Sequence, residues 1–210
     1  MKYLIALASV LGLSHGAVLL DTIDLSSSEQ STTVWTDLTS SNTGLAADSG
    51  SGSLSVVSPG FQASSGLYSF MADYGTSVTQ TTSFDIQSVV FQIELSPNGE
   101  FPYSGGPLLT LTTTSGTLQL AATAFAAGAT EWRTTGMGET AYSSYAWQWD
   151  LSAYGDTITS VTVDTPLAVH SSVTGARIDV GDSFQAVVVP EPSALLLSLA
   201  GAGFLFRRRR

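Results

Sequence analysis

Tyr145, Trp147 and Trp149 alternate with Ala146, Gln148 and Asp150, and Leu151 follows them. Alternation places the three rings on one side of a strand and the amide and acid on the other. Two chemistries fit that spacing. A row of rings facing solvent is a glycan contact, stacking on the CH-rich faces of sugar rings while nearby amide and acid groups hold hydroxyls. A row facing inward is simply the apolar side of a core strand. Trp35 and Trp132 have no such partners and read as core or turn packing.

The acids come next. Glu94, Glu100, Glu131 and Glu139 have the type needed for a glycosidase pair, which requires two carboxyl groups at a defined separation. Asp21, Asp24, Asp179 and Asp182 lie near the two ends of the interior, which are neighbours in many sandwiches, so they are the candidate calcium ligands. They lack the spacing of an EF-hand loop. His170, flanked by Val169 and Ser171, is the one histidine beyond residue 15, so a multi-histidine zinc site cannot be built. It reads as a strand-end or loop residue. No serine sits in a Gly-x-Ser-x-Gly context, no cysteine exists to act as a nucleophile or thiolate ligand, and no glycine loop suits a phosphate. The expectation is a non-catalytic protein with no cofactor other than calcium at those aspartates.

Charge narrows the partners. Of seven basic residues, Lys2 and Arg207 to Arg210 lie at the ends, leaving Arg133 and Arg177 in the interior against sixteen of the seventeen acids. Two minus sixteen leaves −14 between residues 18 and 188, more negative than the whole-chain −10. Such a field repels phosphate backbones and makes nucleic acid a poor partner.

The elements that must position these residues read as all-β. Ile86 to Leu95 is the clearest strand, with Val89, Phe91, Ile93 and Leu95 inward and Val90, Gln92 and Glu94 on a wet face. Val18–Leu25, Thr33–Leu38, Ser53–Val57, Gly66–Ala72 and Thr76–Thr82 are earlier strands. Leu108–Thr113 and Thr117–Ala121 form a hairpin around Ser115-Gly116, and Asn98-Gly99 makes a turn. Tyr142–Leu151, Ile158–Asp164, Ala176–Val180 and Phe184–Val188 complete the set. Ala121–Ala129 reads as a helical turn or loop, and Thr39–Gly52 as a long loop. Short strands with frequent turns predict a two-sheet sandwich, jelly-roll-like if the last strand returns beside the first. A β-helix is disfavoured because no repeat of fixed length is seen.

The two ends have a different character. Met1-Lys2-Tyr3, the apolar run Leu4 to Leu13 and the small-residue exit Ser14 to Ala17 have the layout of a secretory signal peptide over residues 1–17. A β-sandwich domain then occupies 18–188. Residues 189–210 hold Val189-Pro190-Glu191-Pro192-Ser193, an uncharged apolar stretch and four arginines. Two prolines make a stiff segment that a sheet cannot absorb. Oil followed by fixed positive charge orients across a bilayer with the arginines on the cytoplasmic side. The expected element is a short hydrophobic transmembrane helix, held in the inner membrane only transiently.

This end resembles the PEP-CTERM sorting signal of envelope proteins, with Pro190, Glu191 and Pro192 matching its name-giving tripeptide. The resemblance covers about a tenth of the chain. It implies an address, processing by an exosortase-like enzyme after signal peptidase has acted at the other end, and an origin among bacteria that make exopolysaccharide. The combined expectation is an exported protein of the cell envelope, outer surface or extracellular matrix, with a structural or adhesive role. The alternatives are a carbohydrate-binding module for exopolysaccharide and a secreted glycoside hydrolase or polysaccharide lyase.

Overall fold

Runs rich in β-branched and aromatic residues form strands in a computed structural model of the chain, which describes residues 18–97, 101–113, 116–135 and 138–187. The strands are β1 (Gln30–Trp35), β2 (Ser53–Val57), β3 (Phe61–Ala63), β4 (Gly66–Tyr68), β5 (Tyr74–Thr81) and β6 (Ser88–Ser96). A single 3-10 turn at Tyr103–Gly105 precedes β7 (Leu108–Thr113), β8 (Gly116–Ala121), β9 (Ala124–Thr135), β10 (Gly138–Asp150), β11 (Ser160–Leu167) and β12 (Ser172–Gly181). All pairings are antiparallel.

Two sheets result. The larger has seven strands in the order β3-β4-β12-β6-β10-β9, with β1 also on β12, and the smaller has five in the order β2-β5-β11-β7-β8. The all-β, two-sheet expectation therefore holds, and the first and last regular strands are neighbours. Each sheet ends in open edges, so no barrel closes. The core lies between the sheets. Phe91, Ile93 and Ile178 from the seven-stranded sheet meet Leu109, Leu111 and Val163 from the other, all fully buried. Trp149 closes one side of this core, donating its indole N–H to the Leu120 carbonyl (3.1 Å).

The chain departs from its sequence reading where one part imposes a structure on another. The side of β6 expected to be wet is dry, and every residue from Ser88 to Leu95 is buried. Its cover is the segment Val18–Leu25, which is no regular strand but meets that face at Glu94, Gln92 and Val90. Side-chain amides stand in for a neighbouring strand. The Asp21 N–H donates to Gln92 Oε1 (2.9 Å), and Gln92 Nε2 donates back to the Asp21 carbonyl (2.9 Å). Gln30, the first residue of β1, does the same further along the segment, accepting from the Leu25 N–H (3.1 Å) and donating to the Ile23 carbonyl (2.9 Å). Gly175 leaves room for the start of this segment, since a Cβ there would stand 2.3 Å from Val18 Cγ1.

The other end of the domain uses the same device. Residues 184–187 form no strand, contrary to expectation, and residue 188 lies outside the described residues. Gln148 accepts from the Val187 N–H (2.9 Å) and donates to the Gln185 carbonyl (2.6 Å). Val187 packs with Ile23, Leu25 and Val90, so residues 18–25 and 185–187 meet on the outer face of the seven-stranded sheet.

Ala121–Ala129 was expected to be a helical turn or loop; residues 124 onward belong to β9. Pairing with β10 overrides alanine's helical preference, with Phe125 opposite Trp147. A bulge falls opposite Ser144, where Gly128 gives room to the Ser144 hydroxyl, which a Cβ would meet at 2.3 Å. Thr39–Gly52 is a loop apart from an isolated bridge between Val34 and Ser49.

The expected transmembrane helix is withdrawn. No helix of the described residues is long and apolar enough to cross a membrane, and residues 193–206, on which the expectation rested, lie outside them. Length argues the same way: fourteen residues (193 to 206) would reach about 21 Å as a helix, against a hydrocarbon core of about 30 Å. The signal peptide (1–17), the Asn98-Gly99 turn and the Pro190-Glu191-Pro192 motif also lie outside the described residues.

Candidate functional site

The aromatic row on β10 faces the core. Trp147 and Trp149 are 4% and 1% exposed, which leaves no ring face for a sugar and corrects the glycan-contact reading at these two positions. Tyr145 is half-buried against Phe101 and Phe125, at centroid distances of 4.2 and 6.2 Å. Trp147 adds contacts to Phe91, Phe101 and Phe125. The row is the inner lining of the sandwich.

The acids are spoken for in the same way. Glu94 and Glu131 do converge, but on a guanidinium. Arg133 makes a bidentate pair with buried Glu94, at 2.7 and 2.8 Å, and holds exposed Glu131 at 3.1 Å. The Leu19 N–H donates to Glu94 Oε2 (2.6 Å) and the Thr174 hydroxyl to Oε1 (2.5 Å). The hydrogen bond from Glu94 raises the Arg133 pKa above its ordinary value, and the guanidinium lies 4.9 Å from the Tyr142 ring centroid. Both Glu94 oxygens are thus occupied, and none is left to transfer a proton to a substrate. Glu139 is exposed opposite Thr134, and Glu100 lies outside the described residues.

The four aspartates do not form a calcium site. Asp179 is buried and accepts from Arg177 Nε (2.7 Å) and the Thr32 hydroxyl (2.6 Å). Asp182 accepts from the Ser28 hydroxyl, which holds its pKa below the usual carboxylate value. Asp24 caps the Ser26 N–H (2.8 Å), and Asp21 is exposed. Among the described residues no group of three or more His, Asp or Glu side chains is placed to hold a metal.

A different cluster faces solvent. It is built where the β3–β4 hairpin meets the β11–β12 turn. Phe61 and Tyr68 are register partners on that hairpin. Phe70 follows, 65% exposed, stacked on Phe61 at 5.6 Å and edge-on to Tyr68 at 4.6 Å. His170 completes the group, 5.8 Å from the Tyr68 ring and 6.5 Å from Phe70. The Tyr68 hydroxyl and His170 Nδ1 lie 2.7 Å apart in a hydrogen bond. Met71 projects beside them, 89% exposed.

The base under this cluster is fixed. His170 has a positive φ of 67°, and its N–H donates to the Ser69 carbonyl (3.0 Å). The buried Tyr74 hydroxyl shares its one proton between the carbonyls of Leu67 (2.8 Å) and Ser171 (3.0 Å), tying the two loops together, and burial pushes its phenol pKa far up. Asp73 accepts from the Val169 N–H (3.0 Å) and the Tyr103 hydroxyl. The result is a rigid apolar ledge with a phenol and an imidazole at its rim. Such a surface can stack on the CH face of a ring-shaped ligand and hydrogen-bond its substituents. Activation of a serine is another matter, because the ring partner of His170 here is a phenol.

Sequence reasoning placed His170 in a loop and missed its company. Phe61, Phe70 and Met71 stand in a turn-rich stretch where polar residues are the rule. Large apolar residues in that setting were the available signal. Comparison with protein-family models, curated proteins and solved structures finds no match to this chain.

Proposed function

We propose that this is an exported, non-catalytic protein of the cell envelope or extracellular matrix that adheres to polysaccharide through the Phe61, Tyr68, Phe70 and His170 cluster. The observation that carries this reading is the cluster itself: four rings in mutual contact, held rigid from below and left open to solvent. In a chain that can bury its aromatics as thoroughly as Trp149, such a group is a surface kept for contact. A glycoside hydrolase or lyase is less well supported, since the two converging glutamates are committed to Arg133.

Export and sorting belong to the same proposal. The layout of residues 1–17 and the Pro190-Glu191-Pro192 motif with its arginine tail support cleavage by signal peptidase and then by an exosortase-like enzyme. The jelly-roll form is likewise proposed. Strand orders β1-β12-β6-β10 and β5-β11-β7-β8 support it, being the interleaved order of two Greek keys, with β2, β9 and the β3–β4 hairpin as additions.

The binding test is affinity electrophoresis through gels cast with bacterial exopolysaccharides. The intact protein is expected to be retarded, and Phe70→Ala to run freely while keeping its thermal midpoint. Reducing sugar released in the same mixtures would favour the enzyme class instead. Processing is read from the intact mass of native protein, expected to lack both residues 1–17 and the arginine tail. A native species still carrying Arg207 to Arg210 would contradict the sorting proposal.

A further inference from the structure

One flank of the sandwich combines three features. First, residues 101–130 contain no Asp, Glu, Lys or Arg, in a chain whose interior carries −14. Second, this stretch supplies both open edges of that flank. Among the described residues β8 pairs only with β7 and β9 only with β10, and the two edge strands are joined by Ala122 and Thr123. Third, the gap between the edges is apolar. Leu118 is opposite Leu111 and Phe125 opposite Trp147, so both point to the core side, yet they stay 38% and 48% exposed.

An antiparallel edge strand turns alternate N–H and C=O groups outward, and these need an extended backbone as partner. Proteins usually blunt such edges with Lys or Pro. Neither β8 nor β9 contains one, and the charged residues of β9, Glu131 and Arg133, lie beyond its bulge. The bulge at Gly128 limits the regular stretch of β9 to Ala124–Ala127, and β8 adds Gly116–Ala121.

We infer that this flank joins two copies of the chain, with β9 of one pairing antiparallel to β9 of the other about a twofold axis. Such an interface is self-complementary, since each copy supplies the strand that the other lacks. Charge selects this face. Two strongly acidic surfaces repel wherever carboxylates face each other, and the paired stretch Ala124–Ala127 carries none; Glu131, beyond the bulge on the same strand, is held by Arg133. Pairing would run the two seven-stranded sheets together and cover Leu118 and Phe125. This surface is distinct from the aromatic cluster, and its assembly does not depend on sugar binding.

Sedimentation velocity on the full chain in mild detergent, over a concentration series at low and moderate salt, tests this. The expected result is a species of twice the monomer mass. Ala124→Lys and Ala127→Lys, both at exposed positions of the paired stretch, are each expected to weaken association about tenfold by bringing a positive charge from each copy close across the twofold axis. Val57→Lys, on the β2 edge, should leave it unchanged. Circular dichroism confirms that each variant is folded, and the two edge variants serve as substitutes for one another. A monomer at every concentration would overturn the inference. So would an oligomer that both edge lysines leave intact, which would place the contact elsewhere in the chain.

Discussion

Asp73 shows how single side chains fix the candidate site. One carboxylate oxygen takes the Val169 N–H and the other the Tyr103 hydroxyl, so the turn carrying His170 is tied to the loop before β7. The Tyr103 bond, then the Val169 bond, hold the Asp73 pKa below its ordinary 3.8. A depressed folded-state pKa gives stability that is present above the unfolded value and lost as pH falls through the folded one. The stabilisation is therefore complete above about pH 4, and its loss is confined to lower pH. Tyr103→Phe is expected to move the Asp73 titration back up toward 3.8, followed by carboxyl carbon NMR. An unchanged titration would mean the phenol does not bond it. The Glu94–Arg133 pair answers to a different logic. Its carboxylate is buried against the guanidinium, and its role is structural.

At the scale of elements, the unusual feature is a third layer made without strands. Gln92, Gln30 and Gln148 each offer one acceptor and one donor to a passing backbone, as a neighbouring strand would. Gln148→Leu removes both bonds to the C-terminal segment. The expected loss is about 1–3 kcal/mol in urea unfolding, with amide exchange at Val187 accelerated and exchange within β12 little changed. Equal acceleration throughout would show that the segment is part of one cooperative unit with the sheet.

This layer also explains what could be read from the sequence. Ser53–Val57 matches β2 to the residue, and the hairpin around Ser115-Gly116 matches β7 and β8 within one position. Turn residues mark those bounds, and period-two alternation survives one-sided burial. Alternation in Val18–Leu25 suggested a strand because its side chains are buried like one, while its partners are side-chain amides that no pattern reveals. The alanines of β9 carried a helical bias that only the facing β10 could overrule. For Trp147 and Trp149 the spacing gave a shared face without saying which way it points. The aromatic cluster was hidden for a simpler reason. β3 is three residues long, too short to show a period, and His170 reaches it from the far end of the chain.

For the whole molecule, the features separate in space. Ile23, Leu25 and Val187 pack over Val90 on the outer face of the seven-stranded sheet. The aromatic cluster stands where β3, β4 and the β11–β12 turn meet, and the uncharged flank lies at the opposite edge of that sheet, beyond β10. A protein sorted by its ends, adhering by one edge and joining its copies by the other would suit a matrix. The claim on which this rests is that sugar is held by the exposed rings. The most direct measurement is chemical-shift mapping of the aromatic side chains during titration with exopolysaccharide fragments. The account predicts saturable shifts at Phe61, Tyr68, Phe70 and His170, with Trp147 and Trp149 silent. Shifts confined to other residues, or none at millimolar sugar across the fragments tried, would contradict it.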